Sequence, residues 1–491
     1  MNKQKRAVVI GGGLAGLSAA IKLQSEGFQT TLFEKNDYSG GKLKEVVLGT
    51  HHFDFGPNTI TMPHVFRNVL IEAGENPDDY FQFIKLTTHT KNEFPDGSHL
   101  FFSSDKEEMT EELNRLDSYS AAKYNDYLNE VKKLYQLAEN HFLNRTFSSW
   151  KDYLSLPLAK AMSSSRPLES LDRFHRRYFK DERIIKAFNR YATYIGSSPF
   201  NAPATFALIG HLEMGDGVYF TKGGNHQIAL GFEKAAQKLG VDICKGEEVV
   251  KCIAKDGKIK AVETAEGKVL EAEAFVLNGD LLTQYPRLVE EKERPSLPDG
   301  KFNQYEPSIS AFVILAALSE RYNVHHHHVY FGDRTREEFE TIFQDGQYGI
   351  DPTIYICTSS KTDPSLSPVG DNMFILVNAP PLANKGSAPE SSMLEEKIYK
   401  LLSNRGLPIK DSLIQSETVS PRDIAKRFYA YRGALYGIAS NRKKDTFLRP
   451  YNRSQDLSNL FFAGGSTHPG GGSPMVVLSG RNAARLIIEE F

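Results

Sequence analysis

The sequence predicts an α/β fold in which a parallel sheet is built around a dinucleotide-binding βαβ unit. Three observations predict it. The apolar run at 6–10 leads straight into Gly11-Gly12-Gly13-Leu14-Ala15-Gly16. A helical pattern follows, with Leu14, Leu17 and Ile21 on one face and Gly27 as its stop. A second strand-like run at 29–33 then ends in Glu34, 18 positions after Gly16.

Each part of the unit has a physical task. Gly11 permits a tight turn, Gly13 lets the backbone approach a pyrophosphate, and Gly16 lets the helix lie close to the strand. The start of the helix offers unpaired N–H groups and a partial positive charge to phosphates. A carboxylate at the end of the second strand accepts hydrogen bonds from ribose hydroxyls and repels a 2′-phosphate, which leaves FAD or NAD.

The next residues separate those two. Gly40-Gly41-Lys42 and then Asp54-Phe55-Gly56-Pro57 interrupt the chain where a nicotinamide enzyme would continue into regular βα units. At the other end, 459–463 reads as a short buried strand entering Gly464-Gly465-Ser466-Thr467-His468-Pro469-Gly470-Gly471-Gly472. Ser473 is the expected N-cap and Pro474 the first residue of a terminal helix. That helix is expected to direct its N-terminus at the flavin ring system, with glycines letting backbone pack against a flat cofactor.

These motifs resemble the FAD-binding signature of the amine oxidase superfamily. Residues 462–472 closely resemble the C-terminal motif of its bacterial carotenoid desaturases and oxidases. Further matches follow in order at 94–97, 194–198, 202–204, 220–224 and 351–355. Within the family, Arg432-Gly433-Ala434-Leu435-Tyr436-Gly437, Lys443-Lys444 and Gly470-Gly471-Gly472 look more like the 4,4′-diapolycopene and 4,4′-diaponeurosporene oxygenases. Desaturases of the family usually carry Gly-Ala-Gly at the last triplet.

The resemblance implies FAD as cofactor, held by Gly11, Gly13, Leu14, Ala15, Gly16, Glu34, Lys35, Gly41, Lys42, Gly56, Pro57, Val249, Gly464, Gly465, Gly472, Ser473, Pro474 and Met475. Val249 would lie in a strand whose backbone holds the adenine. His468 and Thr467 are the candidates for a catalytic role, with Ser466 beside them; Tyr194, Tyr219 and Tyr436 are candidates to flank a polyene.

The implied organisation is a discontinuous Rossmann-type FAD-binding domain, 1–75, 216–291 and 426–491. An inserted α+β substrate domain, 76–215 and 292–425, associates with the membrane; its first part is expected to be mostly helical and its second richer in strands. The stretches near 295–298 and 385–389 read as loops.

Composition sets limits. With 491 residues the chain can bury a large core, and a net charge of −2 offers no nucleic-acid footprint. The three cysteines show no metal-ligand spacing, and a reducing compartment fits them. Residues 1–5 are polar and lead directly into a strand, so the expected location is cytoplasmic. No run reaches the length of a membrane span. The carotenoid must then be met at the bilayer surface, and the mixed cationic and aromatic segment 173–180 is one candidate contact; a solvated helix face with buried rings is the other. The stripe Tyr124, Tyr127, Leu128, Val131, Leu134, Tyr135, Ala138 reads as core packing. The run His325 to His328 alternates faces if it is a strand and lacks a nearby cysteine in sequence, so no metal is expected.

Oxidising an allylic C–H of a polyene asks mainly for orientation in a dry tunnel. The preferred reading is an FAD-dependent oxidase converting terminal methyl groups of a 30-carbon acyclic carotenoid to alcohol or aldehyde. The alternatives are a carotenoid desaturase of the same fold, and a non-catalytic lipid-binding protein that retains FAD. The electron acceptor, O2 or a quinone, is external.

Overall fold

The computed structural model describes residues 5–383 and 391–491. Residues 1–4 and the expected loop at 385–389 lie outside the described residues.

Five strands form a parallel sheet in the order Leu460–Ala463, Ala274–Asn278, Arg6–Ile10, Gln29–Glu34, Asp242–Lys245. Side chains alternate between its faces, as a pleated strand requires. Ala7, Val9, Ala274 and Val276 join a core with the helices Leu14–Ser25, Gln227–Leu239 and Ser473–Glu490. Val8, Ile10, Phe275 and Leu277 face the opposite way, against Val249, Ile259 and Val262 of a small antiparallel sheet.

The first and last helices meet almost backbone to backbone. A Cβ on Gly480 would lie 2.0 Å from the Ala15 carbonyl oxygen, so only glycine fits there. Ser18 Oγ donates to the Val477 carbonyl at 3.1 Å beside that contact. The terminal helix departs from expectation at its start: the cap is Gly472, at φ +110°, and Ser473 is already helical, without a side-chain cap. The glycine turn takes over the capping position.

A second, seven-stranded sheet runs Leu413–Val419, Ser310–Leu318, Asn372–Ala379, Ile354–Thr358, His327–Tyr330, Thr88–Glu93, His99–Ser103. Ser310–Leu318 is buried at all nine residues, which explains the unbroken apolar run from Ala311 to Leu318. Residues 76–215 are mostly helical, and their hairpin Thr88–Glu93 and His99–Ser103 extends this sheet. After the hairpin, Ser118–Ala138 buries Tyr124, Tyr127, Val131, Leu134, Tyr135 and Ala138, the stripe assigned to core packing. In 173–180, Phe174 and Phe179 are fully buried, while Arg176 and Arg177 pair with Glu182 and Glu169. That segment is a charged face over a core and presents neither phenylalanine outward.

Candidate active site

The first glycine turn is shaped by its neighbours. Gly11 has φ +102°, and a Cβ there would sit 2.5 Å from the Asn278 carbonyl oxygen. Asn278 Nδ2 in turn donates to the Gly11 carbonyl at 2.8 Å. A Cβ on Gly16 would lie 2.0 Å from that same carbonyl oxygen, so Gly16 sets the helix against the turn behind the cavity wall. Glu34 is fixed by three donors: Gly12 N–H at 2.7 Å on one oxygen, and Asn36 N–H and Nδ2 at 2.9 and 2.6 Å on the other. The second glycine turn docks on the first, with Gly40 N–H donating to the Gly12 carbonyl at 2.8 Å.

A cavity of about 580 Å³ opens from these turns. Gly11, Gly13, Leu14, Ala15, Glu34, Lys35, Gly41, Lys42, Gly56, Pro57 and Val249 line it, as do Gly464, Gly465, Gly472, Ser473, Pro474 and Met475. Gly16 alone among the cofactor candidates does not.

Two helix N-termini face this one cavity, at Leu14 and Ser473, and neither has a side-chain cap. The first N–H groups of a helix have no partner within it, so two sets of donors and two positive dipole ends converge on the space. That arrangement fits a ligand with a diphosphate at one helix and an anion-accumulating ring at the other. The glycine surfaces, into which no Cβ projects, fit its flat parts. The residues present therefore fit a flavin dinucleotide.

The electrostatics of the inner wall are unusual. Lys42 is buried and donates to the Leu435 carbonyl at 2.5 Å; burial lowers its pKa to about 8, although Asp280 opposes this. Burial raises the pKa of Asp280 above the usual carboxylate range, against hydrogen bonds from Tyr431 N–H at 2.9 Å and Ser466 Oγ at 2.8 Å.

The catalytic candidates behave differently from expectation. Thr467 is not at the cavity wall: its hydroxyl donates to the Gly464 carbonyl at 3.0 Å and lies 3.2 Å from Ser479 Oγ. It braces the turn, because the loop folds back over the terminal helix. His468 does line the cavity, but its Nε2 is 2.8 Å from the Phe142 carbonyl and its ring packs edge-on against Phe147. Burial lowers its pKa to about 4, so it stays neutral and donates to that carbonyl. Its geometry is that of a residue that positions the 142–147 segment.

Beyond the glycine turns the cavity becomes apolar, between helical residues such as Phe206, Leu208 and Leu212 and the seven-stranded sheet at Val313, Phe374 and Leu376. Tyr194 and Tyr436 line this part; Tyr219 does not, and its hydroxyl donates to the Asp216 carbonyl at 3.1 Å. Tyr194 belongs to a buried polar cluster with Arg190 and Glu213, and burial raises the pKa of Glu213.

Sequence reasoning missed several wall residues. Asn278 ends the buried strand that leads into the site and Asp280 follows it, and their spacing around Gly279 was the available signal. Tyr429 lies under two cations, Lys35 at 4.6 Å and Arg287 at 4.4 Å from its ring centroid, and donates to Glu248 at 2.9 Å. No local pattern marks that residue, since its partners come from three distant segments.

The histidine run also differs from expectation. His326 precedes the strand, in a bend, so His326 and His327 do not alternate strictly; strand pairing brings Cys357 directly opposite His327. His328 instead contacts Glu93 at 3.2 Å, and His325 packs on Phe101.

Comparison with known proteins agrees with this geometry. The family model described as flavin containing amine oxidoreductase matches residues 14–488. A 4,4′-diapolycopene oxygenase of Methylomonas sp. is 35% identical over 497 residues, covering 100% of this chain and 99% of its own. A 1-hydroxycarotenoid 3,4-desaturase of a Flavobacterium species is 32% identical, covering 98% and 99%. Among solved structures, cyclohexylamine oxidase from Brevibacterium oxydans superposes with a TM-score of 0.63 at 16% identity, covering 99% of both chains, which shows the fold. The chain belongs to the flavin containing amine oxidoreductase family and is an FAD-dependent oxidoreductase.

Proposed function

We propose that this enzyme oxidises the terminal methyl groups of an acyclic 30-carbon carotenoid of the diapolycopene or diaponeurosporene type. One observation carries the reading: a single cavity passes from the doubly uncapped glycine cradle into a space walled mainly by aliphatic and aromatic side chains. The similarity to the Methylomonas oxygenase along the whole chain supports it.

In this reading the segments 1–75, 216–291 and 426–491 hold the cofactor, and 76–215 with 292–425 hold the substrate. Glu34 receives the ribose hydroxyls, and Leu14, Ala15 and Gly13 present backbone N–H groups to the diphosphate. The N-terminus of Ser473–Glu490 stabilises negative charge near the reacting ring. Bound FAD supplies hydride acceptance at an allylic carbon, with O2 or a quinone as the eventual electron acceptor. The aliphatic and aromatic wall excludes water and orients one end of the chain. Tyr194 and Tyr436 offer ring faces to developing positive charge.

Carotenoid entry is proposed from a membrane surface. Among the described residues no helix is long and apolar enough to cross a membrane. Trp150, Leu154, Leu156 and Leu168 are 63%, 70%, 88% and 79% exposed, within one stretch of chain. Tyr153, in that stretch, donates to the Phe447 carbonyl at 3.0 Å, and both Phe142 and Phe447 line the cavity. That link between the exposed apolar stretch and a residue of the cavity wall supports entry from this side.

A desaturase reading is favoured by the similarity to the Flavobacterium enzyme. Mass analysis of pigments from two hosts decides. Oxygen gain and an aldehyde only in a host accumulating diapolycopene establish the terminal oxidase. Loss of hydrogen pairs from the colourless precursor, without oxygen gain, makes the enzyme a desaturase.

A further inference from the structure

Behind the cavity wall, His326, His327 and Cys357 bring one ligand atom each to within 4.8 Å of one another. All three side chains are buried, at 6%, 1% and 4% exposure. Each imidazole has one nitrogen on a hydroxyl: His326 Nδ1 lies 2.6 Å from Thr362 Oγ1, and His327 Nδ1 lies 2.8 Å from Tyr355 OH. Among the described residues neither Nε2 atom has a hydrogen-bond partner, although both are sealed from solvent. Two such orphans side by side are costly in an apolar interior.

We propose that His326, His327 and Cys357 form a binding site for a divalent transition metal of the zinc type. The donor set decides the class: two imidazoles and a thiolate suit zinc and its borderline neighbours, and the cluster contains no carboxylate to favour calcium or magnesium. With each Nδ1–H donating to its hydroxyl, both Nε2 atoms present lone pairs, and Thr362 and Tyr355 fix the ring orientations as outer partners of metal-bound histidines do. Bonds of about 2.0–2.3 Å place tetrahedral ligands about 3.5 Å apart. Side-chain rotation of about an ångström closes the site to that spacing. The thiol loses its proton to solvent as the metal–sulfur bond forms, and no redox change occurs. Three protein ligands leave a fourth position for water.

The site ties together the bend at His326 and two paired strands, with His327 and Cys357 as direct cross-strand partners. Tyr355, bonded to His327, lines the substrate cavity. The metal is therefore a clamp on the floor of the tunnel, distinct from the flavin chemistry.

The test uses the full chain with flavin bound, produced without a polyhistidine tag and loaded with Co2+ during expression or by exchange. One equivalent of cobalt retained after dialysis, with thiolate-to-cobalt absorption in the near ultraviolet, is the expected result. Cys357→Ser removes the absorption, and His326→Ala lowers retained metal by about tenfold or more, with flavin absorbance at the wild-type level. Retention below about a tenth of an equivalent by flavin-replete wild type overturns the proposal, whatever the variants do. Unchanged metal content in both variants also overturns it.

Discussion

Tyr194 donates its phenolic hydrogen to Oε1 of Glu213, a fully buried carboxylate whose other oxygen lies 3.6 Å from Arg190. Both Tyr194 and Arg190 line the cavity while Glu213 does not, so a guanidinium in the wall is backed by a buried carboxyl group. Tyr194→Phe leaves a buried carboxylate short of one donor. Its expected cost is about 1–3 kcal/mol of stability, read as a lower Tm, with flavin content retained. A variant with unchanged Tm would show that the hydrogen bond contributes nothing.

Glu34 is the anchor proposed for the ribose. Because three donors already orient it, Glu34→Gln keeps the shape and loses the charge that strengthens those bonds. Flavin affinity is expected to fall about tenfold or more. The measurement is the ratio of flavin to protein absorbance after dialysis. Full retention would place the adenosine elsewhere.

The contact between the first and last helices tolerates no side chain at position 480. Gly480→Ala drives a methyl group to within 2.0 Å of the Ala15 carbonyl oxygen, and Ala15 also lines the cavity. The expected loss is about 1–3 kcal/mol together with weaker flavin retention. Thermal melts with and without added FAD check both effects.

Acid should destabilise the fold through buried neutral histidines. Burial lowers the pKa values of His175 and His468 to about 4, so each binds its proton less readily when folded than the ordinary value of 6.5 allows. Stability is unaffected above that ordinary value, falls as the pH drops below it, and levels off below about pH 4. Each residue contributes about 3 kcal/mol to this loss. His226 acts in the opposite sense: burial works against it, but Asp54 at 2.9 Å raises its pKa, so its contribution is full below pH 6.5 and is lost as the pH rises through the raised value. Melting temperature against pH for His175→Gln, with a shallower acid limb than wild type, is the check.

Membrane attachment is expected to depend on the exposed apolar stretch. Trp150→Ser combined with Leu156→Ser should lower the affinity for lipid vesicles by about a hundredfold or more, read by co-sedimentation, since each buried large side chain is worth about 1.5–3 kcal/mol. Flavin content should not change, because neither residue lines the cavity. Undiminished binding would move the docking surface elsewhere.

The legible part of this protein was the part built from local rules. Arg6–Ile10, the glycine turn, Leu14–Ser25 and Gln29–Glu34 declare themselves because one short stretch contains strand, turn, helix and carboxylate together. The lining of the cavity was legible in the same way, from the glycine motifs at either end of the sequence down to Met475. Thr467 misled because sequence places it next to the wall without saying which way its hydroxyl turns. Tyr429, Arg287 and Asp280 were hidden because their meaning lies in contacts between segments more than a hundred residues apart. Cys357 was hidden beside the histidines in the same way, by a strand pairing that no spacing rule contains.

The hydrogen bond from Ser18 to Val477 spans 459 positions, and the strand Leu460–Ala463 closes the parallel sheet beside Ala274–Asn278. On the ribosome, the nascent chain therefore carries an open sheet edge for most of its synthesis. The second helix N-terminus of the cradle, at Ser473, follows that strand in the chain. The cradle and the sheet edge are therefore completed by the same late-made segment, so flavin binding and closure of the fold draw on the same long-range contacts.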